Sequence, residues 1–144
     1  MSGPPPATPA GTRPTAGVVH KRSPYPVGET VERLTTAVRA AGARVFSLID
    51  HSGEAEDVGL VLRDTKLLIF GNPLGGTPAM VAAPLSAIDL PLKVLVWQDD
   101  AGAAWMSYLD PAWLAARHAL TADLAAPLSA VDTLTDHVAA RPGD

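Results

Sequence analysis

The apolar side chains of this chain change their period at Gly42, and that switch limits what can form on either side of it. Upstream, Val27, Val31, Leu34, Val38 and Ala41 recur at spacings of four, three, four and three, which places them on one face of a helix. Glu29 and Glu32 near its start and Arg39 near its end complement the helix dipole, and Gly42 is a C-terminal stop. Downstream the period is two. Arg44, Phe46 and Leu48 point one way, and Val45, Ser47 and Ile49 the other, as in a strand that ends at Asp50-His51.

The remaining elements follow from the same rules. Val18–Arg22 reads as a short edge strand closed by Ser23-Pro24. Residues 52–60 read as a short helix with Ser52 as N-cap and Ala55, Val58 and Gly59 inward. Residues 66–70 are a buried strand, and 71–78, rich in Gly and Pro, form a loop. Thr77 then caps a short helix with Pro78 in first position, running to Ala83. Residues 88–98 make a long apolar strand, Asp99-Asp100 with Gly102 a hairpin turn, and 103–108 the return strand. Asp110-Pro111 starts a helix to His118, and a last helix spans 127–140 with Val131, Leu134 and Val138 on one face. A strand and helix followed by four strands and further helices implies an α+β domain, helices on one face of a largely antiparallel sheet. The expected division is a flexible Pro-rich tail over 1–16, the domain over 17–120 and a helical extension over 121–144.

Several of these segments have a familiar composition. F-S-L-I-D-H at 46–51, Gly59-Leu60, L-R-D-T at 62–65 and L-L-I-F-G-N-P at 67–73 come first. Gly76-Thr77-Pro78 with Met80, Ala83-Pro84, D-L-P-L-K-V-L-V-W at 89–97 and Ser107-Tyr108 continue the series. In order and spacing the stretch from Val27 to Leu120 closely resembles the domain-of-unknown-function 302 family (DUF302) of prokaryotic proteins. That resemblance implies a β-α-β4-α fold and a homodimer, and it implies no particular activity. Asp64 departs from the proline usual in that family before the threonine, which bears on the local turn alone.

Composition removes several classes of function. With no cysteine there is no disulfide framework, thiol nucleophile, thiolate zinc site or iron–sulfur cluster. A net charge of −4, with lysines and arginines scattered, lacks the basic footprint of a nucleic-acid binder. No run reaches the roughly 20 apolar residues of a membrane helix, and the N-terminus has no secretory pattern. A cytoplasmic location, no cofactor and no metal are therefore expected.

The candidates for chemistry are few. Gly71, Asn72, Gly76 and Thr77 sit where a glycine-rich loop enters a helix, and backbone amides in such a place can hold an anion or a small molecule. The same glycines also suit a purely structural turn. Asp50 and His51 end a strand, where an imidazole can serve as a base, or where Asp50 simply caps the next turn. Lys93 is the one charge within its apolar strand: a nucleophile or base if buried, or an ammonium reaching solvent or Asp89. His118, late in its helix, suits the dipole; Trp97, Trp105 and Tyr108 can line a pocket, a dimer interface or the core. The first reading is a homodimer that binds a small molecule or anion in a cleft near Gly71, Asn72, Gly76, Thr77, His51 and Tyr108. Its alternatives are a hydrolase or isomerase using His51 with Asp50 or Lys93, and a purely structural dimer module.

Overall fold

The computed structural model describes residues 8–140. The helical stripe becomes α1 (Val27–Ala40), with Val27, Thr30, Val31, Leu34 and Val38 buried. Gly42 ends it in the left-handed region at φ +79°, and the Ala43 N–H donates back to the Val38 carbonyl at 3.1 Å. The strands are β1 (Val18–Arg22), β2 (Arg44–Asp50), β3 (Thr65–Gly71), β4 (Leu92–Gln98) and β5 (Ala104–Leu109). They form one antiparallel sheet in the order β1-β5-β4-β3-β2, which leaves β1 and β2 as its edges. The chain is an α+β domain of the expected β-α-β4-α order.

Alternation along the strands decides which side holds the core. Leu68 and Phe70 of β3, Val94 and Val96 of β4, and Ala104, Met106 and Tyr108 of β5 share one face. That face is covered by α1 and by α6 (Ala130–Ala139), which brings Val131, Leu134 and Val138 into the same cluster. The helix expected as part of an extension over 121–144 is thus built into the main core.

Shorter helices occupy the connections: α2 (His51–Asp57), α3 (Pro73–Ala82), α4 (Pro111–Arg117) and α5 (Ala122–Ala125). Two sequence expectations are corrected here. The strand expected from Ile88 starts only at Leu92, because Pro84–Ile88 form a 3-10 turn and Pro91 has no N–H to give a ladder. After α2 the chain does not turn inward: Val58, Leu60, Val61 and Leu62 are all exposed.

The β4–β5 turn is organised by a buried carboxylate. Asp99 Oδ1 accepts from the N–H groups of Ala101 and Ala103, both at 2.9 Å. Its Oδ2 accepts from Trp105 Nε1 at 2.8 Å and from the Ala10 N–H at 2.9 Å. The Ala10 carbonyl accepts in return from the Asp100 N–H at 3.1 Å, and Pro9 is buried. Within the tail expected to be flexible over 1–16, Pro9 and Ala10 are thus docked on this turn, while 11–16 are exposed; residues 1–7 lie outside the described residues. The Ala10 N–H first, then those of Ala103 and Trp105, lower the Asp99 carboxyl from the ordinary 3.8 to about 2.

A carboxyl lowered in the fold adds stability that is complete above its ordinary value and lost as pH falls through about 2. Asp99→Ala is expected to melt below wild type at pH 7. It is also expected to lose less further stability between pH 4 and pH 2, read as melting temperature against pH.

Candidate functional site

The glycine-rich stretch after β3 is a helix from its second residue. Asn72 is the N-cap of α3: its Oδ1 accepts from the Leu74 N–H at 3.0 Å. Its carbonyl accepts from the N–H groups of Gly75 and Gly76, both at 2.9 Å. Pro73, in first position, has no N–H to offer. Thr77, expected as the cap, is an exposed residue within the helix, and Pro78 lies inside it too. In the first turn of α3, Pro73 thus has no amide N–H to give and those of Leu74, Gly75 and Gly76 are already bonded.

What α3 does create is a cleft. A cavity of about 480 Å³ opens between α3, the ends of β2 and β3 and the start of α6. Phe46, Gly76, Met80, Pro91, Leu128 and Leu134 are among its walls. Gly71, Asn72 and Thr77 line it as well, and no ionisable side chain among the described residues does. Its chemistry suits an uncharged, largely apolar guest.

The other expected residues lie elsewhere. Tyr108 is in the core, with its hydroxyl donating to Asp132 Oδ1 at 2.5 Å and Lys21 Nζ 5.2 Å from the ring centre. Burial, then the Asp132 hydrogen bond, raises its phenol above the ordinary range. His51 opens α2 and is exposed. Asp50, rather than Ser52, caps α2: its Oδ1 accepts from the Gly53 N–H at 2.9 Å and the Ser52 hydroxyl at 2.7 Å. The Gly53 N–H is the main reason that the Asp50 carboxyl sits low.

Lys93 is not near this pair. Asp50 stands opposite Lys66 and Val96, whereas Lys93 stands opposite Ile69, which pairs with Ser47. Three strand residues, about 10 Å, separate the two rows. The His51–Lys93 and Asp50–Lys93 combinations are not assembled. Lys93 Nζ instead donates to the Asp89 and Pro91 carbonyls at 2.9 and 2.8 Å, and burial lowers its pKa. No group of three metal-ligating side chains occurs among the described residues.

Sequence reasoning missed one charged cluster. Asp89 Oδ2 lies 2.6 Å from His118 Nε2 and 3.0 Å from Arg117 Nε. The His118 contact first, and Arg117 after it, holds the Asp89 carboxyl below its usual range. The adjacent Arg117-His118 at the end of α4 is the available signal; of the two, the sequence reading takes up His118 alone.

A family model described as "Domain of unknown function DUF302" matches residues 19–138, which includes nearly all of α6. Two curated relatives are the "Fluoride-specific ion channel FluC 1" of Brucella suis biovar 1 (strain 1330) and that of Brucella abortus biovar 1 (strain 9-941). Each is 39% identical over 128 residues, covering 86% of this chain and 50% and 47% of their own lengths. The chain thus spans about half the length of these relatives. A crystal structure of an uncharacterized conserved protein DUF302 from Bacillus stearothermophilus superposes with a TM-score of 0.71 at 18% identity. That match covers 86% of this chain and 97% of the other, and it establishes the fold alone.

The cap assignment separates two neighbouring variants. Asn72→Ala is expected to cost about 1 kcal/mol, whereas exposed Thr77→Ala is expected to stay within about 0.5 kcal/mol of wild type, by denaturant unfolding.

Proposed function

The chain belongs to the DUF302 family, and on that premise we propose that it is a cytoplasmic, homodimeric binding domain for a small, uncharged and largely apolar molecule. The carrying observation is the cleft of about 480 Å³ at the start of α3, with no ionisable side chain among the described residues in its walls. Its size falls within the range of sites that enclose small ligands. Phe46, half exposed on an edge strand, and Met80 offer adaptable apolar contact, and the Asn72, Thr77 and Thr133 side chains are its polar points. Among the described residues an anion would meet no cation in these walls, and the Leu74, Gly75 and Gly76 amides are already bonded, which is why the neutral class is preferred.

Support for a homodimer comes from a different place. Val58, Leu60, Val61 and Leu62 put four exposed apolar side chains within five residues after α2. Such a concentration in water is a mark of an interaction surface. The curated relatives give a context. The matched region is about half of proteins named as fluoride-specific ion channels. We propose that this domain works beside such a channel, with the occupant of the cleft as its input. No helix among the described residues is long and apolar enough to cross a membrane, so ion passage is not assigned to this domain.

Filling the cleft tests the ligand reading. Gly76 lines it, and a Cβ there meets only Met80 Cε at 3.9 Å. Gly76→Leu also replaces a poor helix former, so the variant is expected to melt at or above wild type. In a thermal-shift screen of neutral apolar compounds, a guest at a hundred times its Kd adds about 2.7 kcal/mol to wild type. Gly76→Leu is expected to lose that gain, and equal stabilisation of both proteins would place the guest elsewhere. For assembly, light scattering after gel filtration is expected to give a dimer mass for wild type and a monomer mass for Leu60→Asp/Val61→Asp. A monomeric wild type would overturn that part.

A further inference from the structure

A second cavity of about 240 Å³ lies where β1, β4, β5 and α4 meet. It shares only Leu92 with the cleft beside α3. Val18, Leu67, Leu95, Leu109 and Leu114 make it apolar, and one cation, Lys93, stands in its wall. Lys93 Nζ has two acceptors, the Asp89 and Pro91 carbonyls, so one of its three N–H groups has no protein acceptor among the described residues. No carboxylate oxygen among the described residues is within ion-pair distance of it.

The carboxylate that could have neutralised Lys93 is occupied. Asp89, also in the cavity wall, is held by His118 Nε2 at 2.6 Å and Arg117 Nε at 3.0 Å. Counting Lys93 and Arg117 against Asp89, this corner carries a net charge of at least +1, in a chain whose net charge is −4. Two further polar side chains line the cavity and both are engaged. The Tyr108 hydroxyl donates to Asp132 Oδ1 at 2.5 Å. Ser107 Oγ accepts from Trp97 Nε1 at 2.9 Å and lies 2.7 Å from His20 Nδ1, which can take its proton. Lys93 is left as the one cation in the wall, with the neighbouring Asp89 carboxylate held by Arg117 and His118.

We propose that this cavity is a binding site for a monocarboxylate with a short apolar tail. The carboxylate accepts from the remaining Lys93 N–H, and the tail lies against Val18, Leu95, Leu109 and Leu114. One ammonium on a flexible stem acts as a point charge, which suits a single carboxylate better than a phosphate needing several donors. The apolar walls favour an acid with a tail over an inorganic anion. This site stands independently of the neutral guest proposed for the cleft beside α3.

The test uses hexanoate, its uncharged analogue hexan-1-ol and inorganic phosphate, titrated into the described protein and followed by amide NMR. Hexanoate is expected to shift the signals of Val18, Leu95 and Leu109 saturably and to bind at least tenfold more tightly than hexan-1-ol. Phosphate is expected to leave those signals unmoved. Lys93→Met is expected to weaken hexanoate at least tenfold and to change hexan-1-ol less than twofold. Equal affinity for the acid and the alcohol in wild type would overturn the proposal without any variant. So would shifts confined to residues 71–77, a dominant response to phosphate, or hexanoate binding unchanged in Lys93→Met.

Discussion

Burial of the α1 stripe against alternate residues of three strands is the constraint from which the rest of the arrangement follows. Leu34 and Val38 are fully buried, as are Leu68, Val94, Val96 and Met106 opposite them. Because side chains alternate along a strand, a slip of one residue in β3 would turn Leu68 and Phe70 outward and Leu67 and Ile69 inward. With Phe70 fixed inward, Gly71 and Asn72 must leave the sheet at its end, beside α6. There α3 begins, and the space between it and the core becomes the cleft. The position of the site is thus set by packing some distance from it.

The elements read correctly from sequence are those with a strong local period. Val27 to Val38 repeats often enough to exclude a strand, and Arg44 to Ile49 alternates cleanly enough to exclude a helix. The misreadings occurred where local preference and tertiary context disagree. Two glycines and an interior proline each disfavour a helix, by about 1 kcal/mol per glycine and about 3 for the proline. Residues 73–82 are helical nonetheless, with Asn72 capping the first turn and Ala79 fully buried. At 88–91 apolar character was taken for a strand, although Pro91 was the contrary signal. The docking of Ala10 on Asp99 bridges 89 residues, and no local pattern records such a pairing.

The loop residues singled out in the sequence for a small molecule or anion meet in the fold, but the donors an anion would need are engaged. Gly71, Asn72, Gly76 and Thr77 all line the cleft beside α3. A glycine-rich entry to a helix attracts anions only while its first amides remain free. Here a single residue, Asn72, uses its side chain and carbonyl to bind three of them, and Pro73 contributes none. Local sequence shows that a cap is available; it does not show that the cap has used up the donors.

The two cavities divide the chemistry because the chain divides its charge. From Leu67 to Ile88 there is no ionisable side chain, and this run supplies β3, α3 and the 3-10 turn beside the neutral cleft. The next residue, Asp89, begins the corner that also gathers Lys93, Arg117 and His118. A lone carboxylate there would attract Lys93 into a closed ion pair and leave nothing for a ligand. Arg117 and His118, arriving from α4, occupy Asp89 instead, and Lys93 turns to two carbonyls that bear no full charge. An ammonium held by dipoles keeps its charge available to a guest, whereas one paired with a carboxylate has already been neutralised. The discrimination between a neutral guest and an acid therefore rests on which partner Asp89 takes, a choice made by the packing of α4.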